Sequence, residues 1–163
     1  MAKQIGKIIS AKYYKTEHSS DVRGIEFSSA IKNIYSMVIG SGEGNNTSSA
    51  LFRKSFDEME YLIQYFNGKK ETVRGLAGLG DLYVSSGGGR NARMGSYIGE
   101  GLTFSNAKKM KMEKVTVEGA DLAKEIPKKV NEDFDNKKLP LMLAMINAIV
   151  EDKKLELDWE AFR

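Results

Sequence analysis

Between Leu51 and Phe66 the apolar side chains stand at Leu51, Phe52, Phe56, Met59, Leu62, Ile63 and Phe66, with Ser55 on the same stripe. Steps of three and four gather them on one face of an α-helix but would divide them between both faces of a strand. The segment therefore buries its apolar surface only as a helix. Thr47 or Ser48 is placed to cap it and Gly68 to stop it. The same period recurs at Ile25, Phe27, Ile31, Ile34, Tyr35, Val38 and Ile39, ended by the glycines of Gly40–Gly44. It returns over 92–101, 105–112, 117–133 and 140–151, with Pro140 in the first turn of the last, and a short helix around Trp159 closes the chain. The predicted fold class is all-α, with Phe56 and Ile146 at its centre.

Residues 1–11 also have a helical pattern, with Ile5, Ile8 and Ile9 on one face, and Tyr13–Glu17 is a short strand candidate. One helix and one strand cannot make a sheet domain. Residues 1–22 are therefore expected to be the closing pieces of a different domain, and residues 23–163 the helical one. A chain of 163 residues buries roughly 70% of its unfolded surface and needs no staples. The absence of cysteine excludes disulfides, thiolate metal sites and a cysteine nucleophile. The longest apolar run, Leu139–Val150, contains Pro140 and Asn147 and falls short of the roughly 20 residues a membrane span needs. With no secretory leader either, a cytoplasmic protein without a membrane span is expected. The net charge of +3 comes largely from lysines at 108–114 and 128–138. They lack the interleaved arginines and aromatics of a nucleic-acid surface, so no such partner is expected.

The glycine-rich centre carries the chemistry. Gly75-Leu-Ala-Gly-Leu-Gly80-Asp81 is followed by Gly87-Gly-Gly-Arg90-Asn91. Such glycines either let a ligand approach the backbone or simply make turns between helices, and residue type alone leaves both open. Arg90 stands where the next helix begins, against the helix dipole, and an anion bound there would explain it. A glycine nest, a helix N-terminus and a forked guanidinium together suit a phosphate. Lys32 lies inside an otherwise apolar helical segment. Either it snorkels to water or it is held for acid–base work. Asp81 is either a cap or a member of the same site.

In chain order, Gly24-Ile-Glu-Phe-Ser-Ser-Ala-Ile-Lys32-Asn33, Gly75-Leu-Ala-Gly-Leu-Gly-Asp81-Leu, Gly88-Gly-Arg90-Asn91, Val117-Glu118-Gly119 and Leu139-Pro-Leu141 resemble the signature segments of NAD(P)-dependent glycerol-3-phosphate dehydrogenases. The resemblance runs from Asp21 to about Val150. It implies that family's substrate-binding C-terminal domain, of the 6-phosphogluconate-dehydrogenase C-terminal-like type. It implies glycerol 3-phosphate and dihydroxyacetone phosphate as substrates and NAD or NADP as cofactor, and it admits a homodimer. Residue by residue, it implies Lys32 as the catalytic lysine and Asn33, Asp81, Ser85, Arg90 and Asn91 as substrate-binding positions. Arg90, Thr116 and Glu118 match positions near the cofactor. Ser28 and Ser29 depart from the smaller, glycine-rich residues usual there, and Gly89 stands where some members carry serine.

No Gly-x-Gly-x-x-Gly turn follows a strand in this sequence. The nucleotide-binding domain is thus expected in another part or another chain, and this chain alone is expected to be inactive. Lys32, Asp81, Arg90 and Asn91 should converge in one cleft, because a phosphate clamp and a proton donor must both reach one three-carbon substrate. Two other readings stand beside this one. The chain is alternatively a non-catalytic helical assembly domain, or a dehydrogenase of another 2-hydroxy acid. Gly88-Gly-Arg-Asn91 suits a terminal phosphate better than a carboxylate alone.

Overall fold

A computed structural model describes residues 1–162, and among them there is no strand. Helix α1 (Ala2–Ile9) is followed by α2 (Val22–Gly40) and α3 (Gly44–Tyr65), then by α4 (Lys70–Arg74) and α5 (Asp81–Ser86). The rest are α6 (Arg90–Gly99), α7 (Phe104–Lys111), α8 (Glu118–Glu125), α9 (Pro127–Asp133) and α10 (Pro140–Val150), with 3₁₀ turns at Asn136–Lys138 and Trp159–Phe162.

Helix α2 is the axis of the domain, packed by α3, α5, α6, α8 and α10. Its second half, Ile34 to Ile39, is buried on every side, as a helix that is apolar all round must be. Two glycines set how closely its neighbours come. A Cβ at Gly95 of α6 would stand 2.0 Å from the Met37 carbonyl oxygen, and one at Gly119 of α8 would stand 2.5 Å from that of Asn33. Helices α6 and α8 therefore meet α2 backbone to backbone.

Two buried carboxylates fix the helix ends. Asp21 accepts from the Gly24 N–H (3.0 Å), the Lys69 N–H (2.8 Å) and the Thr72 hydroxyl (2.6 Å), capping α2 and tying it to α4. The Thr72 bond holds its carboxyl below the ordinary value, against the opposing effect of burial. Glu58 of α3 is 1% exposed. It accepts from the Leu141 and Met142 N–H groups at 2.9 and 3.0 Å and from the Tyr35 hydroxyl at 3.1 Å. Pro140 opens α10, and the next two N–H groups, free of helical partners, find theirs in Glu58.

Several expectations are corrected. Tyr13–Glu17 is not a strand: Ala11 donates to the Tyr14 carbonyl at 2.7 Å and no ladder forms, because no second strand lies beside it. Neither Thr47 nor Ser48 caps α3, which begins at Gly44 with Glu43 before it. Ser48 instead turns its hydroxyl back to the Ile39 and Gly42 carbonyls. The segment 117–133 breaks at Ile126, since Pro127 has no N–H to continue the first helix and opens the next one. Within the glycine-rich centre, Leu76–Gly80 forms a π turn, closed by the Gly80 N–H on the Gly75 carbonyl at 3.2 Å, that runs directly into α5, while Gly87–Gly89 make the turn before α6.

Ile146 is buried in the core and Phe56 only partly so. Ile146→Ala is expected to cost about 2–5 kcal/mol, and Phe56→Ala less. Urea denaturation of the two variants measures the difference, and equal losses would contradict this assignment of the core. Helix α1 buries none of its residues. Ile5, Ile8 and Ile9 are exposed, and the helix is tied back chiefly through the Thr16 hydroxyl, which reaches the Gly6 carbonyl at 3.1 Å.

Candidate functional site

Where α2 passes α5, α6 and α8, a cavity of about 390 Å³ is lined by Lys32, Asn33, Ser85, Arg90, Asn91 and Glu118, with Ser29 and Gly89 at its edge. The lining comes from four helices, and the close approach of α6 and α8 to α2 brings it together. The π turn ends at Asp81, the first residue of α5. Such turns inside helical segments are frequent at functional sites.

Lys32 forms an ion pair with Asp81, and its side chain is 16% exposed. The other Asp81 oxygen accepts from the Ser85 hydroxyl at 3.4 Å. A cation this covered is costly to bury without a partner, and Asp81 is that partner. Lys32 thus reaches across to the glycine segment instead of snorkelling outward.

On the opposite wall Arg90 pairs with Glu118, and both are more exposed, at 57% and 39%. Asn91 is buried and locked at both ends of its carboxamide. Its nitrogen donates to the Asn33 side-chain oxygen at 3.1 Å and lies 3.5 Å from Glu118, while its oxygen accepts from the Gly119 N–H at 2.9 Å. Arg90 keeps guanidinium nitrogens with no partner among the described residues. The cavity therefore offers one covered cation with a carboxylate behind it, a second cation at the rim and a fixed amide between them.

Lys32, Asn33, Asp81, Ser85, Arg90, Asn91 and Glu118 come together in this way, although Asp81 touches the cavity only through Lys32 and Ser85. Thr116 does not join them. It is exposed, two residues before Glu118, and outside the lining. The Arg90–Glu118 pair escaped the sequence reading, because nothing in the spacing of those residues shows that α6 and α8 meet on one side of α2.

Fold and cleft together define an all-helical domain with two carboxylate-paired cations around one small polar cavity. The profile described as "NAD-dependent glycerol-3-phosphate dehydrogenase C-terminus" matches residues 21–158. The chain belongs to that family. It is similar to glycerol-3-phosphate dehydrogenases [NAD(P)+] of Lactobacillus acidophilus, 32% identical over 96% of this chain and 47% of the relative, and of Maridesulfovibrio salexigens, 29% identical over 94% and 47%. A crystal structure of glycerol-3-phosphate dehydrogenase from Coxiella burnetii superposes with a TM-score of 0.78 and 26% identity, over 99% of this chain and 49% of that one. The enzyme from Saccharomyces cerevisiae shares the fold with a TM-score of 0.85 at 23% identity, over 95% and 46%. The chain spans about half the length of these relatives. Their names give the family's cofactor as NAD or NADP.

Proposed function

We propose that this chain is the substrate-binding half of an NAD(P)-dependent glycerol-3-phosphate dehydrogenase, interconverting sn-glycerol 3-phosphate and dihydroxyacetone phosphate. The observation that carries the reading is the covered Lys32–Asp81 pair facing Arg90 and Asn91 across a cavity of about 390 Å³, near the small end of the usual range for ligand sites.

Arg90 and Asn91 bind the phosphate. Its two negative charges compete with the single charge of Glu118 for the guanidinium, and the free nitrogens of Arg90 complete the clamp. Asn33 and Ser85 orient the three-carbon body. Lys32 then faces the C2 oxygen. In reduction it donates a hydrogen bond to the ketone and transfers its proton as that oxygen gains charge; in oxidation it takes the proton back. Asp81 holds the Lys32 side chain in place through both steps, itself positioned by Ser85.

NAD(P), when bound, accepts or supplies the hydride at C2. The residues present fit it. Glu118 and Arg90 are exposed at the rim, where a cofactor approaching from outside the helical domain would reach them, and Thr116 lies nearby on the surface. Residues 1–22, with the bare apolar face of α1, are the closing segment of the nucleotide-binding domain. Turnover is expected only when that domain is supplied.

With that domain supplied, Lys32→Met should lower kcat about 10²–10⁴-fold and leave KM for dihydroxyacetone phosphate nearly unchanged. Arg90→Ala should chiefly raise KM, about tenfold or more. Steady-state kinetics of both variants decide the matter. The opposite split would exchange the two roles, and full activity of Lys32→Met would sink the reading.

A further inference from the structure

On the other side of the turn between α5 and α6 lies a larger groove, of about 960 Å³. Phe52, Tyr83 and Val84 give it an apolar wall, and Ser49, Ser96 and Arg93 give it a polar one. Arg93 is the one charged side chain in this lining, and among the described residues no carboxylate pairs with it. The cations of the substrate cleft, by contrast, each have a carboxylate partner.

We propose that this groove is a second binding site, for an organic anion with an apolar body larger than a three-carbon phosphate. Charge selects the anion: the Arg93 guanidinium has no carboxylate partner among the described residues and shares its lining with the Ser49 hydroxyl, while the Ser96 hydroxyl is held by Glu100 at 3.1 Å. Shape and polarity select the body. The groove is more than twice the volume of the cleft, and its aromatic and aliphatic wall gains from covering apolar surface that a small polar phosphate does not have.

The same turn serves both spaces. Ser85, Gly89 and Arg90 line the cleft, while Ser86, Gly87 and Gly88 line the groove. Gly88 has φ +121°, and a Cβ added to it would meet nothing within 4 Å. The turn is thus unpacked at its tip, and a ligand pressing on Gly87–Gly88 acts on Gly89 and Arg90 one or two residues away. Occupancy of the groove is in this way coupled to the phosphate clamp.

The test uses the whole chain and 1-naphthyl phosphate, with 1-naphthol as its neutral counterpart. Titration calorimetry, run with saturating glycerol 3-phosphate to fill the cleft, should show one saturable site for the naphthyl phosphate, at least about tenfold tighter than for the naphthol. Arg93→Ala should weaken it about tenfold or more, Arg93→Lys should restore part of the loss, and Phe52→Ala should weaken both probes. Arg90→Ala should leave the affinity unchanged, which separates the groove from the cleft. In amide NMR spectra the Gly87, Gly88 and Arg93 signals should shift first, with Arg90 and Asn91 following at the same saturation.

Equal binding of the two probes, or indifference to Arg93→Ala, overturns the proposed site. Loss of binding in Arg90→Ala places the probe in the cleft and also overturns it. Saturation with no shift at Arg90 overturns the coupling. Sedimentation showing a dimer that Phe52→Ala dissociates assigns the groove to a second copy of the chain, and that too rejects the proposal.

Discussion

Gly95→Ala is expected to lower the melting temperature by roughly 6–12 °C, the shift that about 3 kcal/mol produces in a domain of this size. The added methyl would stand 2.0 Å from the Met37 carbonyl oxygen. Neither partner is a flexible side chain, so α6 must move away from α2 as a body. Overpacking in a core usually costs about 1–3 kcal/mol, and a backbone-to-backbone clash belongs at or above the upper end. Separation of α6 from α2 also pulls Asn91 from Asn33, so the variant should lose ligand affinity in the cleft along with stability. Gly87→Ala is the control: its backbone is ordinary and its new Cβ would meet the Val84 and Tyr83 carbonyl oxygens at 3.5 and 3.6 Å. It should melt like the parent. A Gly95→Ala protein that melts with its control would show that the two helices do not meet as described.

The second large effect centres on Glu58. Glu58→Ala strips the partner from the Leu141 and Met142 N–H groups and from the Tyr35 hydroxyl, all buried, and should cost about 3–5 kcal/mol. Its carboxyl also gives a pH signature. Burial pushes it up from the ordinary 4.5 to about 7, outweighing the three hydrogen bonds that favour the charged form. A carboxyl whose value is raised on folding contributes stability that is complete below pH 4.5 and is lost as pH rises toward and through 7. The full amplitude is on the order of 3 kcal/mol. The Asp21 carboxyl, held low, acts in the opposite sense and only in acid, where stability falls as it protonates. Between pH 5 and 8, therefore, urea denaturation should show stability declining in the parent and nearly level in Glu58→Gln. A parent whose stability climbs across that window would mean Glu58 is held as a well-solvated anion.

The helix pattern and the cleft were legible to different degrees. Apolar spacing placed α2, α3, α6, α7 and α10 to within a few residues, because each sets apolar residues against the core at helical intervals. It erred where a local competitor intervened: Pro127 dividing one pattern into two, and Ser48 bonding backward. Lys32, Asp81, Arg90 and Asn91 were visible as residue types in suggestive places. That Lys32 would meet Asp81, and Arg90 would meet Glu118, depends on how helices cross α2, which no spacing along one helix encodes. Glu58 shows the limit most clearly. It lies three residues after Ser55 and four before Leu62, on the stripe that turns inward, so a signal existed. Its partners at 141 and 142 lie 83 and 84 positions downstream, and only the folded chain reveals why a carboxylate sits there.

The π turn before Asp81 has a geometric consequence. An α-helix advances about 100° per residue, whereas a turn closed over five residues holds one more residue than an α-turn. Leu76–Gly80 therefore acts as a phase shifter, fixing the rotational setting of the helix it feeds. The aim of the Asp81 carboxylate at Lys32 is then a matter of angle more than of reach. Drift in the length of this segment by a single residue would turn Asp81 about 100° around the helix axis, moving its Cα by about 3.8 Å and its carboxylate farther still. The glycines of this stretch thus keep time for the helix that follows, whatever they contribute to a ligand.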